Sequence, residues 1–467
     1  MIAGQMHTRT DPAAATRPRF LATAVATTLA VSAVVRADPI EVLPGTEITI
    51  STDYANLGGI TIDAGTSSDL PGHLKVAAGV TLTNPSGQTV QALWHYLYGT
   101  GRFTNLGTVD NWGLLYANIE NKGVVYNRPG GTASSLFNEG VFHNLGDQTL
   151  GNVWADNAAF GQFINYSGVT FCVGENGGFG GGALQFHDSA SGTNHGILNV
   201  RNAAGFEMQG PGTAFLNSST GLINLSSAPA PGHMVFNGGI LTNNGAINNN
   251  SANLYLWSGA IAGTGTYTQS GAAAYAEVNG SLTQATVDIQ AGTLSGTGTV
   301  TATNGPVTIG PSAVVSPGSS PGTLTIGGDL DLSGTYLVEV NSANPGDFDV
   351  LNVTGTLTLD GTSVLNMRFA YQPSLGETYD VLLANSIVGA FAVDNIYVDV
   401  PAGGGEEEGF AILSAASSNG FEFSFDVVAN PSGGVMLRAT VTAVPEPSAL
   451  GLAAVAGVLA IRRRRRG

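Results

Sequence analysis

The sequence predicts an all-β chain whose body is a parallel β-solenoid. Three observations predict it. Glycine supplies 66 of 467 residues, and asparagine, serine and threonine are frequent, while charged residues make up 10%, against roughly 25% in an average soluble domain. Helix signals are few, and apolar residues recur in short runs at the two-residue spacing of half-buried strands. Finally, short motifs return along the chain, the mark of stacked structural repeats.

The repeats are clearest between residues 105 and 144. Asparagines come in pairs six apart, Asn105 and Asn111, Asn121 and Asn127, Asn138 and Asn144, and the pairs start 16 and then 17 residues apart. Val109, Val125 and Val141 lie between them at matching places. A rung of about that length suits two or three short strands, with glycine and asparagine at the φ > 0 corners. Stacking pairs each strand with its equivalent above and below, and asparagines at equivalent corners can form hydrogen-bonded ladders. Ile261-Ala-Gly-Thr-Gly-Thr-Tyr267 returns as Leu294-Ser-Gly-Thr-Gly-Thr-Val300, and Gly322-Thr-Leu-Thr-Ile326 as Gly355-Thr-Leu-Thr-Leu359, both 33 residues on. Twice 16.5 is 33, so the same rung length is expected in both places. Residues 150–235 show no clean period, and insertions or an irregular stretch are expected there. The competing reading is a two-sheet sandwich, or several small sandwiches, with coincidental spacing.

Beyond the repeats, residues 371–442 read as a closing β cap. The turn-rich stretch from Tyr371 to Tyr379 leads into Val381, Leu382 and Leu383. Phe421-Glu-Phe-Ser-Phe-Asp-Val427 alternates as a half-buried strand, and Asn-Pro-Ser-Gly-Gly at 430–434 turns it back into a hairpin partner. Such an end is needed, because an open last rung is a bare sheet edge.

The two ends of the chain carry addresses. Arg9, Arg17 and Arg19 precede an uncharged run over residues 20–35, and Val35 and Ala37 make a small-residue cleavage pattern. This reads as a secretory signal helix removed after Ala37. At the other end stand Pro445, Glu446 and Pro447, then an apolar run over 449–461, then Arg462, Arg463, Arg464, Arg465 and Arg466. The prolines hold an extended backbone. The apolar run is shorter than the ~20 residues of a comfortable span, so it forms a weak transmembrane helix. The arginines stay cytoplasmic and orient the body outward.

The triplet, apolar segment and basic stop resemble the PEP-CTERM sorting tail that bacterial exosortases recognise. The resemblance covers residues 444–467. It implies an inner-membrane intermediate, recognition of Pro445, Glu446 and Pro447 by a membrane-embedded exosortase, and release to the cell surface or matrix. Residues 292–391 look like the C-terminal part of autotransporter-type passenger solenoids and the related repeats of PEP-CTERM proteins, through Val-Ser-Pro-Gly-Ser-Ser-Pro-Gly at 315–322 and Phe-Asp-Val-Leu-Asn-Val-Thr-Gly at 348–355. That resemblance implies a right-handed parallel β-helix ending in a cap, with adhesin-like or matrix roles. The chain departs from autotransporters in carrying the sorting segment where a barrel would follow.

The expected organisation is therefore a signal peptide over 1–37, a solenoid body over 38–333, last rungs and cap over 334–442, and the sorting tail over 443–467. Of the 16 basic residues, four precede the signal cut and five lie in the tail, leaving 16 − 9 = 7 in the body. The body is strongly acidic, a poor partner for nucleic acid or anionic membranes. Divalent cations or neutral glycans suit it better. The single cysteine, Cys172, excludes an internal disulfide and sits in an apolar run that reads as buried.

Candidate chemistry is sparse. Lyases acting on acidic polysaccharides need a base beside cation-binding acids, whereas Lys75, Arg102, Lys122, Arg128, Arg201, Arg368 and Arg438 are scattered. Hydrolases need a close carboxylate pair. Asp347 and Asp349 read as structural, and Asp329 and Asp331 as alternating on one strand face. His187, Asp188 and His195 form the one loose cluster and read as a surface loop, and no zinc spacing occurs. The glycine-rich run 174–182 lacks the lysine and helix of a phosphate loop. Gly-Gly-Gly-Glu-Glu-Glu at 403–408 reads as a solvated loop. Trp94, His95, Tyr96, Tyr98, Trp112, Trp154 and Trp257 could stack on sugars, though core or ladder positions are the commoner fate. No catalytic residue, metal site or cofactor is expected. The expected function is an exported surface or matrix protein, structural or adhesin-like, with an exosortase as processing partner and an exopolysaccharide or other surface glycan as ligand. The alternative is a secreted β-helix that binds or degrades polysaccharide.

Overall fold

The computed structural model describes residues 40–444 apart from 44–46, 52, 57–59, 63–72, 77–80, 85–88, 93–101, 113, 131, 147, 151–154, 158–160, 174–182, 202–204, 227–231, 319–320 and 399–420. The signal and tail helices expected at the two ends lie outside these residues. Among the described residues there is no helix, and none long and apolar enough to cross a membrane.

The chain is all-β. From Ile40 to Val398 its strands stack in parallel, the inner ones pairing with the strand one turn of the chain earlier and one turn later. Three columns result. Column A contains Thr170–Val173, Ile197–Val200 and Leu222–Leu225 in register. Column B contains Ala183–Phe186, Gly205–Gln209 and the first half of His233–Asn243. Column C contains Gln162–Asn165, Ser191–Asn194 and Ala214–Asn217. This is the solenoid-like stack that the short repeats predict.

Burial follows strand geometry. Successive side chains point to opposite faces, so each four-residue strand sends alternate residues inward, as the buried second and fourth positions of Thr108–Asn111 and Leu222–Leu225 show. Equivalent inward residues stack. Val109, Val125, Phe142 and Phe163 make one such file in column C. Gly192 continues it, because a Cβ there would lie 2.4 Å from the Phe215 ring.

The last inward position of many strands is asparagine rather than an aliphatic residue. In column C, Asn111, Asn127, Asn144, Asn165, Asn194, Asn217 and Asn243 are fully buried and each amide donates to the next carbonyl oxygen at 2.7–3.1 Å. In column B, Asn105 donates to Asn121 at 2.7 Å and Asn121 to Asn138 at 2.8 Å. Each amide has a second task at its corner. Asn121 Oδ1 accepts from the Gly123 N–H at 3.2 Å, and its Nδ2 also donates to the Val141 carbonyl at 3.2 Å. Both faces of the amide are thus satisfied where water is excluded, which burial demands. Glycine follows the asparagine two places on because the corners nest closely. A Cβ on Gly140 would lie 2.1 Å from the Gly123 carbonyl oxygen.

The structure corrects one of three expectations for these segments. Of the two alternatives for residues 150–235, the described residues fit insertions: the column C ladder runs through them, with steps of 21, 29, 23 and 26 residues after the early 16 and 17. Longer corners, not lost register, erase the period. The 33-residue repeats do not mark equivalent rungs. Thr323–Ile326 pairs with residues 350–353, while residues 356–359 pair with 386–388 and with Leu330–Leu332. The two copies stand in different columns and look alike because every corner asks for the same glycine chemistry. The expected half-buried strand at 421–427 is present as Glu422–Ala429, with Phe423 and Phe425 half-buried against the core and Val427 exposed at 55%. Its hairpin partner Val435–Ala443 carries the buried face and pairs antiparallel with Thr378–Val388, closing column C.

Candidate functional site

Pro445, Glu446, Pro447 and Arg462, Arg463, Arg464, Arg465 and Arg466 lie outside the described residues, as do Trp94, His95, Tyr96, Tyr98, Trp154 and the runs 174–182 and 403–408. The last strand ends at Ala443, two residues before Pro445.

The acidic pairs that the sequence offered are structural. Asp349 is fully buried, and its two oxygens accept the Gly322 and Glu339 N–H groups at 2.9 Å each. Burial pushes its carboxyl up to about 7 against those two donors, with the Glu339 charge adding to the rise. Asp347 is held by Ser342 at 2.6 Å and by Asn344 at 3.3 Å. Asp329 does not share a strand face with Asp331. It stands at the corner before Leu330–Leu332, where it accepts the Thr356 N–H at 2.7 Å.

His187 and His195 follow different strands, Ala183–Phe186 and Ser191–Asn194, and so occupy different corners. Only the neighbours His187 and Asp188 meet, at 3.1 Å. Cys172 is buried, as expected, but its sulfur receives the Asn199 amide at 3.5 Å, so its setting is not purely apolar. Among the described residues no group of histidine, cysteine or acid side chains is arranged to hold a metal ion.

Among the described residues two tryptophans are exposed, Trp112 at 38% and Trp257 at 51%. Trp112 lies under the Arg128 guanidinium, whose carbon is 5.6 Å from the ring centre and which also pairs with Asp110 at 2.5 Å. Arg128 covers the Tyr126 ring at 4.9 Å, and Tyr126 stacks on His143 at 4.6 Å and 7°. Arg128 thus covers a face of Trp112 and of Tyr126, and Tyr126 and His143 cover each other, which leaves less open ring surface here.

Trp257 has a different setting. Leu256 pairs with Phe236 and Ser258 with Asn237, so Trp257 is the extra residue of a β-bulge on column B, the device that re-aims a side chain. Tyr255 lies 5.8 Å from it and Tyr275 lies 6.0 Å from Tyr255. Pairing places Glu207, Val235, Tyr255 and Glu277 in one outward file, which ends against Ser295, itself buried. Glu207 is pinned by Gln185 at 2.6 Å and Gln209 at 3.0 Å, with His233 at 3.5 Å. The His233 contact, helped by the two amides, holds its carboxyl below the usual range although burial opposes this. Asn279 donates to Glu277 at 2.7 Å.

This face can present hydrogen-bond acceptors and aromatic surface together. As an acid–base pair it fails. Glu207 and Glu277 stand three strand spacings apart, about 14 Å at ~4.8 Å each, beyond the ~9.5 Å limit for paired carboxylates in glycoside hydrolysis. Sequence reasoning singled out Trp257 but missed Glu207, Tyr255 and Glu277, which come together only through register.

No family model matches the chain, and no curated protein matches it.

Proposed function

We propose that this chain is an exported structural or adhesin-like protein of the bacterial cell surface or extracellular matrix, released there by an exosortase acting on its C-terminal tail. The observation that carries the reading is the order of parts at the C-terminus. A hairpin cap ends at Ala443, and the Pro445-Glu446-Pro447 triplet, apolar run and arginines follow at once. Cleavage at the triplet would free the folded body without cutting into a described strand. The rod itself suits a scaffold role, because stacked rungs give length and lateral faces rather than an enclosed pocket. In this reading the solenoid is a right-handed β-helix, the hand that parallel connections overwhelmingly take. A signal helix over 1–37 starts export, and the arginines hold the tail in the inner membrane until processing.

The test is fractionation of the host expressing Glu446→Ala or Pro447→Ala. Uncut precursor in the inner membrane is the expected result. Release of these variants at the parental level would overturn the sorting reading.

A further inference from the structure

The three outward faces of the solenoid differ sharply over the same stretch. In column C, the outward residues of Ser191–Asn194, Ala214–Asn217, Ser281–Gln284 and Thr299–Ala302 are Ser191, Thr193, Ala214, Leu216, Ser281, Thr283, Thr299 and Thr301, without a ring or a charge. In column A they are the Asn199, Asn224 and Asn248 amides, bonded to one another at 2.9 and 3.2 Å, with Ile197, Leu222, Ala246, Thr266, Thr268, Thr286 and one carboxylate, Asp288, and no ring. Column B alone gathers aromatic rings with carboxylates and amides.

We infer that this column B face, centred on Trp257, Tyr255 and Tyr275 and flanked by Glu207, Glu277 and Asn279, binds an uncharged polysaccharide lying along the rod. The chemistry selects that class. A pyranose has an apolar face of C–H groups, which an exposed indole covers, and a rim of hydroxyls, which carboxylates and amides accept from. Hydrogen bonds to ionised acceptors are the stronger kind. An acidic polymer is disfavoured, because between Gly205 and Gly296 the outward positions of this column carry Glu207 and Glu277 but no lysine or arginine; its basic residues, Lys75, Arg102 and Arg368, stand several rungs away, and the nearest in sequence, Arg201, stands at the corner before Gly205–Gln209. A protein partner would ask for a continuous apolar centre, whereas here the rings alternate with polar groups. The bulge at Trp257 is the second, independent sign, since it turns a large apolar side chain to 51% exposure in a strand whose alternate residues, Leu254 and Leu256, are fully buried.

The inference draws on the surface reading only for the presence of glycan, and its test does not depend on where the chain resides. The full chain in detergent is run in native affinity gels containing soluble β-glucan, α-glucan, galactomannan or polygalacturonate. Retardation by at least one of the three neutral polymers is expected, and none by polygalacturonate. Trp257→Ala should weaken that retardation at least about tenfold, the scale of a central aromatic contact, and Glu277→Gln should weaken it with the fold intact. Trp112→Ala should leave it unchanged. Circular dichroism and the melting midpoint check each variant, and if Trp257→Ala does not fold, Glu277→Gln decides. No retardation by any neutral polymer, unaltered binding in the deciding variant, or equal binding of polygalacturonate would each overturn the assignment. None of these outcomes touches the sorting reading, which fails or stands on fractionation.

Discussion

Asn243 donates to Gln284 at 2.7 Å although a whole rung lies between them. The position between belongs to Gly263, which has no side chain and a φ of +143°. Pairing runs Thr242 to Ala262 and Ala262 to Thr283, so Asn243, Gly263 and Gln284 share one file. The longer glutamine side chain spans the gap, and the buried ladder continues past a missing member.

That relationship predicts an asymmetry. Gln284→Ala leaves the Asn243 amide short of a partner in a dry interior, at a cost of about 1–3 kcal/mol. Gly263→Ala should cost at least as much, because its Cβ would meet the Asn243 carbonyl oxygen at 2.1 Å with an unfavourable φ. Urea unfolding of both variants checks this. A neutral Gly263→Ala would mean the ladder does not set the backbone here.

The middle of the ladder should be more sensitive still. Asn165 accepts from Asn144 and donates to Asn194, both at 2.8 Å. Asn165→Ala orphans a buried donor on one side and a buried acceptor on the other, and a loss of roughly 3 kcal/mol or more is expected. An outward amide such as Asn248 should cost under about 1 kcal/mol on the same substitution. Equal losses at the two sites would contradict the ladder's role.

Both ladders were legible where the chain is tightest. The six-residue offset between Asn105 and Asn111 is one strand plus one corner, so a single pattern marked two columns at once. After Asn144 the rule persists in Asn165, Asn194 and Asn217, each at the end of a strand, but the 29-residue step to Asn194 hides it from any fixed period. Motifs ending in Asn-x-Gly, such as Asn194-His195-Gly196 and Asn243-Asn244-Gly245, are the signal that could have found them. The 33-residue echoes misled because corners of different columns share one chemistry. The Trp257 face was illegible for a physical reason: its members lie on separate rungs, and the bulge that exposes the indole leaves no trace in composition.

Stability should vary with pH through Asp349. Its carboxyl is raised to about 7 in the fold from an ordinary 3.8. The folded state therefore binds the proton more readily than the unfolded chain. The sign follows: this contribution is full below pH ~3.8 and is lost as pH rises through about 7. Asp360 acts oppositely. Hydrogen bonds from Ser333 and Thr362 lower it to about 2, so its contribution is present above pH ~3.8 and fades as pH falls through about 2. Melting midpoints from pH 4 to 8 should fall less steeply in Asp349→Asn than in the parent. Parallel curves would remove Asp349 from the account.

The cap hairpin should guard column C. Val435–Ala443 covers the edge of Thr378–Val388, with Leu382 opposite Leu437, and Arg438 grips Asp380 at 2.6 and 2.9 Å. Removing residues 421–443 would bare an edge strand with buried neighbours Tyr379, Val381 and Leu382, a template for pairing with another chain. Light scattering should show concentration-dependent association absent in the parent. A monodisperse truncated body would show that the hairpin is dispensable.

The most direct test of the exported-rod account is the intact mass and C-terminal peptide of the protein recovered from the host's envelope and matrix fractions. The account predicts a C-terminus at or beside Pro445–Pro447, found outside the inner membrane. A chain still ending in Arg466-Gly467 and found only in the inner membrane would contradict it.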